Sequence, residues 1–280
     1  MTKFISFFGS IIFFFASMFP WMFHQFPKKP SGQSIDLTKF EMTWNDEFEG
    51  DTLDRTKWAT MDWLNERKGG YWHRDMVSVH DGALDIAAKY LKEGLNGNPA
   101  GYYTGVVETR IDKNRVLFEQ CYGYFECRCI LPPSTGLWSA FWMMNEGVFN
   151  VDGKGDDGTE VDIFESMRYK DHWWKAGDSV VSGIHYDGYG EEEKGDSIGY
   201  WFTGNNPYEE YNTYGLEWTE DEYIFYVNGV ETARSAFSKG VSTAFEEVIV
   251  SLEIPDEVTK EKDFTTDFIV DYVKIWQKAG

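Results

Sequence analysis

From residue 35 onward the apolar positions recur at the spacing of strands rather than helices. Short runs rich in β-branched and aromatic residues are separated by Gly, Asp and Asn: Ala83–Ala88, Tyr103–Thr109, Tyr122–Ile130, Leu137–Met144, Val180–Tyr186, Tyr211–Trp218, Tyr223–Val227, Val230–Ala233, Glu247–Ile254 and Phe268–Trp276. No window of a dozen residues carries a 3.6-residue apolar period. Asn228-Gly229 sits between two of these runs and predicts a two-residue hairpin turn. Many short strands without helical crossovers predict an all-β fold, an antiparallel β-sandwich.

Alternation within the runs separates their faces. In Tyr122–Ile130, Tyr122, Tyr124, Glu126 and Arg128 share one face, and Gly123, Phe125, Cys127 and Cys129 the other. In Leu137–Met144, Trp138, Ala140 and Trp142 lie opposite Leu137, Phe141 and Met143. Read as neighbours, the two strands predict one buried face and one wet, aromatic face. By spacing alone the two tryptophans fit an ordinary core equally well. Glu126 and Arg128 beside them point to a cleft, where indoles stack on flat sugar faces and charged groups meet hydroxyls.

The first 30 residues break the pattern. They are almost wholly apolar from Phe4 to Phe26 and carry Lys3, Lys28 and Lys29 with no acid. A span of 23 residues is long enough to cross the roughly 30 Å hydrocarbon layer. A basic start and an apolar centre also suit a signal peptide, although Pro20, Trp21 and Phe23 make a poor cleavage site. Residues 1–26 are therefore expected to be a signal peptide or membrane anchor, 27–38 a linker, and 39–280 one catalytic domain. An extracellular or cell-surface location follows.

Setting that segment aside sharpens the charge. The 280-residue chain has a formal net charge of −21, so the remainder carries −24. Such a polyanion has no cation surplus to displace phosphate counterions, which excludes nucleic acid as a partner. Aromatic residues make up 18% of the chain, enough apolar surface to exclude disorder. Cys121, Cys127 and Cys129 are odd in number and crowded, so they read as buried thiols and not as a disulfide framework.

The chemistry-bearing stretch is Gly158–Ser166, GTEVDIFES, with three carboxylates in an otherwise apolar run. Glu160 and Asp162 are two apart and share a face. Glu165 is five residues from Glu160, so a regular strand would bury it on the opposite side at high cost. One extra residue at Ile163-Phe164, a β-bulge, returns Glu165 to the face of the other two. The glutamates would then lie roughly 13 Å apart at Cα, close enough for their side chains to converge on one bond. A solvated acidic strand in an acidic protein is the plain alternative.

That run resembles the ExDxxE signature of glycoside hydrolase family 16, the laminarinase and licheninase family, in its bulged variant. Further blocks match in order: Trp44–Gly50 (WNDEFEG), Tyr122–Arg128, Gly136–Trp142, His185–Tyr189 (HYDGY), Tyr214–Trp218 and Asp271–Trp276. The resemblance spans residues 40–277. It implies a jelly-roll, concanavalin A-like sandwich with a concave glycan cleft. It also implies Glu160 as nucleophile, Glu165 as general acid/base and Asp162 between them. Trp138, Trp142, Glu126, Arg128 and His185 match cleft positions and are expected to bind substrate. Glu47, Gly82 and Asp271 match the family's structural calcium positions, with no cofactor expected for catalysis. One departure is Asn212, where the family usually carries a histidine.

The expected activity is endo-acting, retaining hydrolysis of β-1,3- or mixed β-1,3-1,4-glucan by a monomer. The acidic domain should repel sulfated galactans, which favours a neutral glucan. A transglycosylase or an agarose-type galactan hydrolase on the same fold is the alternative. A non-catalytic glucan-binding relative would be expected to lack the catalytic glutamates, and all three acids are present.

Overall fold

The computed structural model describes residues 30–134, 136–167, 179–202, 204–236, 241–255 and 265–280. The expectation for residues 1–26 lies outside them, as do residues 27–29 of the expected linker. No α-helix occurs among the described residues; short 3₁₀ turns such as Glu146–Phe149 join the strands.

Two sheets face each other, antiparallel throughout except where Gly70–Trp72 runs parallel to Gly101–Thr104. The smaller runs Lys194–Phe202, Ser179–Tyr186, Glu160–Met167, Trp138–Met144, Glu247–Glu253, Val106–Glu108. The larger includes, in order, Val230–Ser235, Tyr223–Val227, Asn212–Trp218, Gly123–Ile130, Thr265–Lys278 and Ala83–Leu91, and ends at the hairpin Asn65–Arg67, Gly70–Trp72. The run 103–109 is split between them, since Gly101–Thr104 lies in one sheet and Val106–Glu108 in the other. The Asn228-Gly229 turn forms as expected, with φ of 50° and 70°. Positive φ at both central residues matches the right-handed twist of the flanking strands.

The core fills the space between the sheets. Phe125, Cys127 and Cys129 from one meet Phe141, Met143, Val161, Ile163 and Phe164 from the other. Phe164 packs tilted against Tyr214 across the gap, with ring centroids 4.3 Å apart. All three cysteines are free thiols, two of them buried.

This corrects the pairing expected for the Glu126 strand. Gly123–Ile130 and Trp138–Met144 are consecutive in sequence yet belong to opposite sheets. Their apolar faces meet in the same core, so their polar faces point apart. Trp138 and Trp142 face the open side of the small sheet, whereas Glu126 and Arg128 lie on the outer side of the large one.

Candidate active site

The carboxylates owe their common face to the bulge. Along the tryptophan strand, Ala140 pairs with Glu165, Phe141 with Phe164 and Trp142 with Asp162, which leaves Ile163 as the extra residue. The same shift appears on the other side, where Asp162 faces Gly183 and Glu165 faces Val181. Ile163 and Phe164 both enter the core, and Glu160, Asp162 and Glu165 line one cleft of about 590 Å³. Trp138, Trp142 and His185 line it with them.

His185 bridges two acids. Its Nε2 lies 3.3 Å from Asp162 Oδ2 and its Nδ1 3.0 Å from Glu193 Oε1. The Asp162 carboxylate beside it outweighs burial and raises the imidazole to a pKa of about 9. Glycine opposite makes room for this pair: a Cβ on Gly183 would stand 2.9 Å from Asp162 Oδ2 and 3.3 Å from His185 Nε2. Donor atoms of Glu160, Asp162 and His185 lie within 4.8 Å of one another. With its proton in place, His185 is paired with the carboxylates of Asp162 and Glu193.

Burial raises all three carboxyls of the bulged strand. Glu165 is pushed to about 9 by burial and by the charges of Asp162 and Glu160. Glu160 rises only to about 7, because Tyr189, His185 and Arg67 oppose burial and Asp162. Asp162 is raised by burial and held down by His185. The proton therefore sits preferentially on Glu165, and Glu160 is the first of the two to ionise.

The opposite wall comes from residues that the sequence reading missed. The turn after Asn65–Arg67 brings in Arg67 and Lys68. Arg67 is tied to Glu253 at 2.8 Å and lies over the Trp72 ring, while the Lys68 ammonium stands 5.2 Å over Trp138. Trp142 donates its indole N–H to Ser251 Oγ at 3.1 Å. Tyr189 donates to Glu160 Oε2. Its block, HYDGY, was visible in the sequence; the hairpin and the Ser251–Glu253 strand end had no signal linking them to the site.

Glu126 and Arg128 are not brought to the cleft. Glu126 is buried and accepts from Tyr124 and Tyr272, each at 2.8 Å. Arg128 pairs with Asp271 at 2.5 Å and covers the Tyr211 ring. Of the expected calcium positions, Asp271 thus faces a guanidinium, Glu47 lies 3.1 Å from Lys274, and Gly82 occupies a turn with φ of 75°. Asn212 sits in the large sheet, where its amide ties Asn205 and Asn228 together.

A family model described as the GH16 domain of beta-porphyranases A–D matches residues 40–277. The chain belongs to glycoside hydrolase family 16. Among its family relatives, beta-porphyranase B of Zobellia galactanivorans is 32% identical over 203 residues, 66% of this chain and 64% of that protein. Glucan endo-1,3-beta-glucosidase A1 of Niallia circulans is 28% identical over 210 residues, 69% of this chain and 29% of that protein. The chain thus spans less than two thirds of either relative. The catalytic domain of an endo-1,3-beta-glucanase (laminarinase) from Thermotoga petrophila RKU-1 superposes with a TM-score of 0.66 at 20% identity, covering 86% of this chain and 99% of that one. That likeness establishes the sandwich as the family's fold.

Proposed function

We propose that the chain is an endo-acting, retaining hydrolase of a β-linked polysaccharide. The observation that carries this reading is the bulged strand, which sets Glu160, Asp162 and Glu165 on one wall of the cleft with unequal proton affinities. Glu165 gives its proton to the departing glycosidic oxygen as a Glu160 oxygen bonds to the anomeric carbon. Glu165, now a base, takes a proton from water, and the water oxygen displaces Glu160 from the sugar. Trp138 and Trp142 offer flat apolar surface for sugar rings along the same wall.

For the substrate we read a neutral β-1,3- or mixed β-1,3-1,4-glucan, supported by the glucanase relative and by the −24 charge of the domain. A galactan bearing anionic groups is the second reading, supported by the porphyranase family model and by the Lys68 ammonium over Trp138. Export by the apolar segment 4–26 belongs to the same proposal. Reducing-end release from laminarin, barley β-glucan, lichenan, agarose, carrageenan and porphyran tests it. Wild type should cleave one class and Glu160→Gln none, with the β-anomer appearing first by NMR. Equal release by the two proteins would sink the enzyme reading, and first appearance of the α-anomer the retaining one.

A further inference from the structure

Tyr189 arrives at the site from outside the sheet. It lies in the loop after Ser179–Tyr186, exposed on one side, with its O–H on Glu160 Oε2. Its ring meets the edge of Phe149 at a centroid distance of 5.6 Å and an interplanar angle of 75°. The loop is anchored two residues earlier. Asp187 adopts φ of 60° and buries its carboxylate completely. There it accepts from the backbone N–H of Asp152 at 3.0 Å and of Gly153 at 2.9 Å, and from Lys194 Nζ at 2.8 Å. Gly188 N–H adds a bond to Val148 O at 2.6 Å. Residues 148–153 and 187–189 are thereby clamped together, and the clamp ends on the phenol.

We infer that Tyr189 is a positioning residue for the nucleophile: its O–H fixes Glu160 Oε2 and leaves Oε1 as the attacking oxygen. The inference rests on the retaining reading above. A glutamate side chain has three rotatable bonds, and the ladders to Met144 and His185 on either side of Glu160 fix its backbone and not its carboxylate. One directed donor removes the rotation that would turn both oxygens away from the sugar. When Oε1 bonds to the anomeric carbon, Oε2 becomes the ester carbonyl oxygen and keeps the same donor. Burial and the nearby Glu160 charge hold the Tyr189 phenol well above its ordinary value, so it remains a donor throughout the working range. The other charged groups acting on Glu160 are Asp162 on its own strand, His185 on the next and Arg67 from the hairpin. Glu165 and the buried Glu246 also feel its charge. None of these others is in hydrogen-bond contact with Glu160 among the described residues.

Tyr189→Phe in the full chain tests this, because it keeps the ring on Phe149 and removes only the donor. The Glu160 carboxyl is followed by NMR of protein labelled with carbon-13 at the glutamate carboxyl, its signal assigned with Glu160→Gln. Its titration midpoint should rise by about one unit, since a bond to the charged form is lost. On whichever of laminarin, barley β-glucan or porphyran wild type cleaves, kcat should fall roughly 10- to 100-fold with KM little changed, and the acid limb of the pH profile should move up with Glu160. An unmoved Glu160 titration overturns the inference whatever the activity. A moved titration in a protein that releases the α-anomer first overturns the retaining reading and leaves the Tyr189–Glu160 link standing.

Discussion

Asp162 has no bond-making task in the proposed reaction, yet it governs the proton affinities of its neighbours. It is the leading cause of the raised His185 pKa and, after burial, the largest influence raising Glu165. A negative charge in a water-poor cleft makes it harder for Glu165 to ionise and easier for His185 to stay protonated. Replacing Asp162 with Asn keeps the shape and removes the charge. Glu165 should then lose its proton at lower pH, moving the basic limb of the kcat/KM profile down from the region of 9, with activity reduced roughly 10- to 100-fold. His185 should fall back toward 6.5, which a histidine proton NMR titration would register. A basic limb that stays in place in Asp162→Asn would show that burial alone keeps Glu165 protonated.

At the scale of the element, the decisive feature is one surplus residue. Parity along Glu160–Glu165 demanded a bulge, because three carboxylates of one chemistry could not share a face otherwise, and the ladder places the extra residue at Ile163. Deleting Ile163 should close the bulge and leave Glu160, Asp162 and Glu165 at every second position of a regular strand, still on the cleft face, while removing a side chain that packs in the core. The deletion is therefore expected to keep polysaccharide cleavage within about tenfold of wild type and to cost about 2–4 kcal/mol in urea unfolding. Abolished cleavage in a protein that still folds would show that the bulge itself sets the spacing of the two glutamates. Local patterning revealed this much because side-chain parity is set by neighbours in sequence. It did not reveal which strands pair: alternation shows that Phe125 and Phe141 face a core but not that they approach it from opposite sheets. Glu126 and Arg128 were drawn to the cleft for that reason. Arg67, Lys68 and Glu253 were overlooked for the complementary one, since only the tertiary path of the chain brings them to Trp72 and Trp138.

Across the whole molecule the acidity of the chain becomes a question of stability. Several carboxyls outside the cleft lining are buried or half-buried and raised by that burial: Glu108 to about 7, Glu247 to about 8, and the fully buried Glu246 to about 7. A carboxyl with a higher pKa folded than unfolded binds its proton more tightly in the native state. Its stabilising contribution is complete below the unfolded pKa near 4.5 and is lost as pH rises through the folded value. Glu160, Glu165 and His185 act in the same direction, whereas Asp187, held low by Lys194, weakens the fold only as pH falls below about 4. Thermal stability should therefore peak near pH 5 and decline toward pH 8. Glu246 isolates the cause, because it accepts from Thr159 N–H and Oγ1 at the entry of the catalytic strand and touches no substrate-lining wall. Glu246→Gln mimics its protonated form and keeps an oxygen for Thr159. A shift from 4.5 to about 7 is worth roughly 3 kcal/mol at pH 8, and each kcal/mol moves the melting point by about 2–4 °C at this size. Calorimetry should thus find the difference in Tm between pH 5 and pH 8 smaller by several degrees in Glu246→Gln than in wild type. An unchanged difference would place the pH dependence elsewhere, in the general repulsion of a −24 surface, and that repulsion alone should weaken with added salt.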